Sequence, residues 1–320
     1  MDQGEDGKVG LSVFDLSADD LQFIAGRALE TPMRSSSVLD ARIGRTIHIK
    51  DETVQPGGSF KFRGAILGAR NAERGVVAAG AGNFPIAVGL AARALGKPAC
   101  LVMPSDAPAF KRQQARETGA EIIIAERSEV TDHAQMEARK RGWRNLHAFE
   151  DMEMIAGSYT LGAELAAAIQ ASSAASDAVV VACGGGGLAA GVALALRARS
   201  VSAAIYVVEP ASHQRYARAR EAGMPVRIEA SGDTVCDALR SRQIGAHAFE
   251  ILERSNVRMC AVGDELVHDA SALLHGICGI RVEPSGALAM GAVLAGLVGR
   301  EHSRVWVVAC GGNVQTAENE

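Results

Sequence analysis

Two short segments of the 320-residue chain carry residues whose types and spacing could do chemistry. The first is Val181-Ala182-Cys183-Gly184-Gly185-Gly186-Gly187-Leu188, where an apolar strand pattern ends in four glycines and a helical pattern follows. Without Cβ atoms the backbone can approach a ligand closely, and several N–H groups can converge on it. The helix N-terminus adds positive potential, so the loop reads as a phosphate cradle; the plainer reading is a flexible turn. Two named phosphate loops do not fit. No Gly-x-x-x-x-Gly-Lys-Ser/Thr occurs, and after Gly80-Ala81-Gly82 the third dinucleotide glycine would fall at Pro85. The expected ligand is a small phosphate ester. The second segment is Pro56-Gly57-Gly58-Ser59-Phe60-Lys61-Phe62-Arg63-Gly64-Ala65, with Lys61 between two phenylalanines at a loop-to-helix junction. Taken alone, Lys61 reads as a surface cation at a helix start. If it is partly desolvated, its pKa falls and its amine becomes nucleophilic, which suits Schiff-base chemistry.

The elements that must position these segments are legible as apolar runs. Strands are expected at Thr46–Ile49, Val76–Ala79, Ala99–Met103, Glu121–Ala125, Ala178–Cys183, Ile205–Val208, Arg258–Val262 and Val305–Ala309. Many are continuous rather than alternating, as in strands covered on both faces. Helical patterns lie between most of them, at about 61–73, 84–95, 109–118, 130–141, 155–170, 188–199, 264–275 and 286–298. A further helix starts at Ser17, with Asp20 three residues on, resembling a capping box. The alternation predicts an α/β fold with mostly parallel sheets. The Ala/Ser-rich stretch 166–178 reads as a helix end and connector.

Composition narrows the partners. With 33 Lys+Arg against 37 Asp+Glu the net charge is -4, which argues against a nucleic-acid platform. Aromatics at 4% argue against stacking on single strands, and 48% hydrophobic with 22% charged residues is a globular composition. The acidic start Met1–Asp6 is no signal peptide, and the apolar stretch from Gly286 to Gly299 is too short to span a bilayer. It reads as a buried helix. Six cysteines, none in a Cys-x-x-Cys pair, fit a reduced, cytoplasmic protein with no cysteine metal site.

Taken together, the two segments make the chain resemble the fold-type II pyridoxal-phosphate (PLP) enzymes, tryptophan synthase β-like in fold. Within them it resembles the serine/threonine dehydratase and serine racemase group. Ser59–Ala65 matches that group's lysine motif and Gly184–Leu188 its tetraglycine loop. Ala81-Gly82-Asn83 matches its Ser/Ala-Gly-Asn loop. Glu283-Pro284-Ser285-Gly286-Ala287 and Cys310-Gly311-Gly312-Asn313 follow in the right order, and Asp233–Asp237 is a looser match. The matches span about residues 30 to 315.

The resemblance implies a larger lobe of residues 1–75 and 152–320, a smaller mobile lobe of 76–151, and PLP in the cleft between them. It implies that Lys61 holds PLP as a Schiff base and later moves the substrate α-proton. Phe60 would lie against the cofactor ring, and Asn83 would bond its 3′-oxygen. The N–H groups of Gly184, Gly185, Gly186, Gly187 and Leu188 would take the phosphate, and Cys310 would face the pyridine nitrogen. Ser59, Ala81, Gly82, Asn83 and Phe84 would contact the substrate, with the 81–86 loop on its carboxylate. A thiol is a weak partner for a pyridine nitrogen, so the ring is a poorer electron sink and prompt loss of a β-leaving group is favoured. The implied activity is β-elimination from a β-hydroxy L-amino acid such as threonine, serine or a bulkier one, giving a 2-oxo acid and ammonia. A homodimer is also implied.

Three departures qualify this. Racemases of the group carry a serine before the Gly-Asn, where this chain has Ala81, so racemisation is not expected. The loop continues Phe84-Pro85-Ile86 instead of the more polar residues usual there, which predicts a carboxylate cradle poorer in donors and a more apolar pocket. Glu209 matches the first ligand of the group's divalent-metal site, but Arg215 stands where a second acid is expected. No required metal is therefore expected, with the guanidinium in the cation's place. The motifs end at Asn313, so no regulatory domain of the biosynthetic threonine dehydratase type is expected after them. The rival within PLP chemistry is cysteine synthase-like β-replacement. Its usual Asp between the lysine and arginine is here Phe62, and its Gly-Asn-Thr/Ser-Gly is here Gly82-Asn83-Phe84-Pro85. A non-catalytic PLP-binding homologue is opposed by Lys61, and an NAD-type dinucleotide binder by Pro85.

Overall fold

The computed structural model describes residues 16–172 and 176–315. The acidic start Met1–Asp6 and the middle of the 166–178 stretch lie outside the described residues. The strands are β1 (Met33–Ser35), β2 (Thr46–Asp51), β3 (Val76–Ala79), β4 (Ala99–Pro104), β5 (Glu121–Ala125), β6 (Arg144–Leu146), β7 (Asp177–Ala182), β8 (Ala203–Pro210), β9 (Arg258–Val262) and β10 (Arg304–Ala309). The helices are α1 (Ala18–Ala25), α2 (Ser37–Ile43), α3 (Lys61–Asn71), α4 (Asn83–Ala94), α5 (Ala109–Glu117), α6 (Val130–Arg141), α7 (Met152–Ala171), α8 (Gly187–Ala198), α9 (Arg215–Ala222), α10 (Ala246–Arg254), α11 (Asp264–Cys278) and α12 (Pro284–Leu294).

Two sheets form. The larger runs β1-β2-β10-β7-β8-β9 and the smaller β5-β4-β3-β6. Among the described strands only the short β1 pairs antiparallel; the other pairings are parallel. Parallel strands need crossovers and are covered by helices on their faces, which explains why β7, β4 and β10 read as continuous apolar runs. The C-terminal strand β10 inserts between β2 and β7 and pairs with both. That crossover puts the segment after β10, Cys310 to Asn313, beside the segment before α3. Phe60 N donates to Cys310 O at 3.1 Å, Ser59 bridges Gly311, and Gly312 N donates to Gly58 O at 2.9 Å.

One core fills the large sheet's layers, and a second joins β3, β4 and α4 to the inner faces of α3 and α7. The apolar stretch near residue 290 is α12, buried from Ser285 to Val293, and it ends at Leu294, short of the expected 298. The capping box expected at Ser17 does not form. Ser17 is the N-cap of α1, but its side chain makes no cap hydrogen bond, and Asp20 instead pairs with Arg70 at 3.1 Å. The short elements β1, β6 and α2, and the helices α9 and α10, were not legible in the sequence pattern. Among the described residues no helix is long and apolar enough to cross a membrane, and the six cysteines are free.

Candidate active site

A cavity of about 390 Å³ lies between the carboxyl ends of the two sheets. Loops after parallel strands meet there, the usual place for ligands in open α/β sheets. Its lining includes Phe60, Lys61, the 80–85 loop, Gly184 to Leu188, Ser285 and Cys310. Phe60, Lys61, Ala81, Gly82, Asn83, Phe84, the four glycines, Leu188 and Cys310 are thus brought together as the sequence led one to expect. Ser59 is not among them. It is fully buried behind the wall, and its Oγ has no partner among the described residues. Ile86 also departs from expectation. It packs inward in the core shared by α3 and α4, so it does not make the pocket apolar. Pro85 sits in the first turn of α4, where its missing N–H costs no helical hydrogen bond.

Lys61 opens α3, which the 310–312 segment and a buried charge cluster hold in place. Two residues on, the Arg63 guanidinium lies between Glu52, at 2.8 Å, and Glu164, at 2.6 Å. Lys50 also bonds Glu164, so two cations and two carboxylates balance at the base of the lysine helix. Lys61 is half-buried, with its ammonium in the cavity wall. Nζ donates to Ala148 O at 3.2 Å and lies 4.7 Å from the Phe60 ring centroid. Burial pulls its pKa down from 10.5 to about 8, against the opposing pull of Cys310 and Glu283. The surface-cation reading of this residue is therefore overturned. Cys310 is buried beside it, its thiol donating to Ser285 O at 3.6 Å, with its pKa pushed up by burial.

The glycine loop follows β7 and opens α8. Gly186 has φ of +90°, a left-handed conformation that favours glycine. A Cβ on Gly185 would land on the Phe149 ring, and one on Gly186 would come within 3 Å of Ala248 and Ile244. Gly185 O accepts from Gly245 N and Gly186 O from Ala190 N, which ties the loop's carbonyls back into the fold. The first N–H groups of α8 have no acceptor within the helix. A phosphate suits this cradle, and a half-buried lysine amine of lowered pKa in the same cavity suits an aldehyde. The donor set therefore fits pyridoxal phosphate.

Sequence reasoning missed the cations of the cleft, Lys111, Arg127 and Arg240, and gave no role to Glu283 and Asp237, which it met only inside motif matches. Lys111 of α5 is buried, with Nζ 2.8 Å from Asp237 Oδ2 and 3.3 Å from Glu283 Oε2. Glu283 Oε1 accepts from Asn83 Nδ2, and Asn83 Oδ1 accepts from Asn313 Nδ2 at 2.9 Å. Asn313 Nδ2 also donates to Gly57 O at 2.7 Å. Spacing could have found Lys111, because Ala107, Lys111 and Ala115 recur at i, i+4 and are buried together. Arg127 and Arg240 also line the cavity. Arg127 pairs with Asp106 at 2.8 Å, and Arg240 donates to Thr234 O at 2.8 Å.

Glu209 and Arg215 lie off the cavity. Glu209 accepts from Tyr216 N and Ala217 N, and lies 3.4 Å from the Arg215 guanidinium. Arg215, fully buried, also donates to His213 O, Leu239 O and Ser241 Oγ.

Comparison with known proteins agrees with this geometry. The family model described as pyridoxal-phosphate dependent enzyme matches residues 24–311. An L-threo-3-hydroxyaspartate ammonia-lyase of Pseudomonas sp is 33% identical over 301 residues, covering 91% of this chain and 92% of that protein. A serine racemase of Oryza sativa subsp. indica is 32% identical over 306 residues, covering 91% and 88%. The crystal structure of a threonine deaminase from T.th. superposes with a TM-score of 0.88 at 34% identity, covering 94% of this chain and all of that one. With a lysine, a glycine cradle and a strand order that unite at one cleft, the chain belongs to the family of pyridoxal-phosphate dependent enzymes.

Proposed function

We propose that the chain is an ammonia-lyase: it removes the β-hydroxyl of an L-amino acid and releases a 2-oxo acid and ammonia. The observation that carries this is the half-buried Lys61 amine, its pKa lowered to about 8, in the cavity that the glycine loop and the start of α4 share. Ammonia-lyases of hydroxy amino acids stand among the similar proteins.

Lys61 and Phe60 would hold the pyridoxal ring end, and Gly184 to Leu188 the phosphate. Bound PLP supplies the sink for electrons left at the substrate α-carbon. Lys61 takes the α-proton, a task for which an amine near neutral pKa is suited. The N–H groups at the start of α4, at Gly82, Asn83 and Phe84, receive the substrate carboxylate, with the helix N-terminus favouring the negative charge. Cys310, held as a thiol, would be only a weak partner for a pyridine nitrogen, and would thus favour quick loss of the hydroxyl over storage of charge. Ala81 has no proton to exchange, so no second acid or base comes from that position. We divide the chain into lobes 1–75 with 152–320 and 76–151; closure of the smaller on the larger excludes water from the cleft. We read the chain as a cytoplasmic homodimer, and we place the Arg215 guanidinium where a divalent cation would otherwise stand.

The lining is mixed. Phe84, Pro104 and Phe149 are apolar, while Arg127 and Arg240 are cationic. The substrate panel must therefore span serine, threonine, 3-hydroxyaspartate and phenylserine. The test is product analysis: 2-oxo acid and ammonia in equal amounts, unchanged by an added thiol. A new thioether amino acid would move the assignment to β-replacement.

A further inference from the structure

We propose that Lys111 is a positioning residue: its ammonium keeps Glu283 an acceptor, and Glu283 thereby fixes the amide of Asn83 across the cleft. The inference rests on the reading of Asn83 as the group that meets the cofactor. Its basis is one continuous chain of polar contacts. Gly57 O accepts from Asn313 Nδ2, whose amide also donates to Asn83 Oδ1; Asn83 Nδ2 donates to Glu283. Glu283 Oε2 and Asp237 Oδ2 then receive the Lys111 ammonium. Lys111 and Asn83 stand on α5 and α4, beside the four-stranded sheet. Glu283, Asp237 and Asn313 belong to the segments around the six-stranded sheet. The contacts therefore join the two lobes at the cavity itself.

The chemistry gives each contact a direction. An ionised carboxylate only accepts, so it forces the Asn83 amide to present N–H toward Glu283 and oxygen toward Asn313. A protonated Glu283 can donate, and the amide then has no fixed sense. Which state holds depends on the charges that face Glu283. Burial holds the Glu283 pKa above the usual carboxylate range; Lys111 is the strongest group opposing that rise, Asp237 adds to it, and the Asn83 amide also opposes it. The Lys61 amine also faces Glu283, as do the thiols of Cys310 and Cys236. Without Lys111, a fully buried carboxylate beside Asp237 takes up a proton.

The test is PLP affinity of the apoenzyme, read from the visible band of bound cofactor between about pH 6 and pH 9. It is run for the wild type, Lys111→Met, Lys111→Arg and Glu283→Gln. Lys111→Met is expected to bind PLP about tenfold more weakly than the wild type near neutral pH. The deficit should shrink as pH rises and Glu283 ionises. Lys111→Arg should restore most of the affinity. Glu283→Gln, close in shape and without a charge to titrate, should show a deficit that does not vary with pH. A Lys111→Met deficit that is absent, or constant across pH, would overturn the proposal. If Lys111→Met does not fold, a pH-dependent deficit in Glu283→Gln, or wild-type affinity in that variant, would overturn it equally. Lys61→Ala separates the two layers of inference. If its visible band survives, the site reading itself is wrong. If that band is lost while the Lys111 and Glu283 variants behave as wild type, only the positioning role falls.

Discussion

Lys61 is unusual for a lysine because it has traded water for a cavity wall, and that exchange sets its chemistry. A pKa lowered from 10.5 to about 8 leaves about a tenth of the amine neutral at pH 7. Only the neutral amine attacks an aldehyde. Capture of PLP by the apoenzyme should therefore speed up about tenfold per pH unit below 8 and level off above it. Stopped-flow absorbance checks this; a rate still climbing steeply between pH 9 and 10 would show an ordinary, solvated lysine. Ala81 sets a second expectation at this scale. Racemases of the group that the chain resembles carry a serine at this position, which makes the missing hydroxyl consequential. Wild-type protein should form no D-amino acid from its L substrate, and Ala81→Ser should introduce measurable inversion. Chiral chromatography of the reaction mixture decides it, and substantial D product from the wild type contradicts it.

The lysine can be placed only as well as the helix that begins with it. α3 crosses α7 so closely that a Cβ on Gly157 would land on the backbone of Arg63 and Gly64. Any larger residue must push the helices apart. Gly157→Val is expected to cost at least about 1–3 kcal/mol of stability, with weaker PLP binding because Lys61 moves with its helix. Thermal melts of apo and loaded protein read both effects, and an unchanged melting temperature would deny the close crossing. The strands that feed the site were legible because burial on both faces writes an uninterrupted apolar run. The long helices were legible by their period. β1 and β6 were not, because three residues carry no period. Nor were α9 and α10, which lie in the charged stretch after β8. The motif residues announced the ligand, whereas the Lys111–Glu283–Asn83 contacts were hidden. They join positions far apart in the chain that only the fold brings together.

At the scale of the molecule, one topological fact makes the site. Because β10 inserts between β2 and β7, the last strand delivers Cys310 and Asn313 to the lysine helix, while the four-stranded sheet delivers Asn83 and Lys111 from the other side. The cleft is therefore built by segments that belong to both sheets. That division of labour suits an enzyme that must admit an amino acid and then keep water from a reactive carbon. The most direct measurement is 2-oxo acid release by PLP-loaded protein across both diastereomers of the β-hydroxy amino acids named above. Rapid turnover of at least one of them, abolished in Lys61→Ala, is the expected result. The absence of turnover with every one of them, in protein whose bound-cofactor band is intact, would contradict the assignment as a hydroxy amino acid ammonia-lyase.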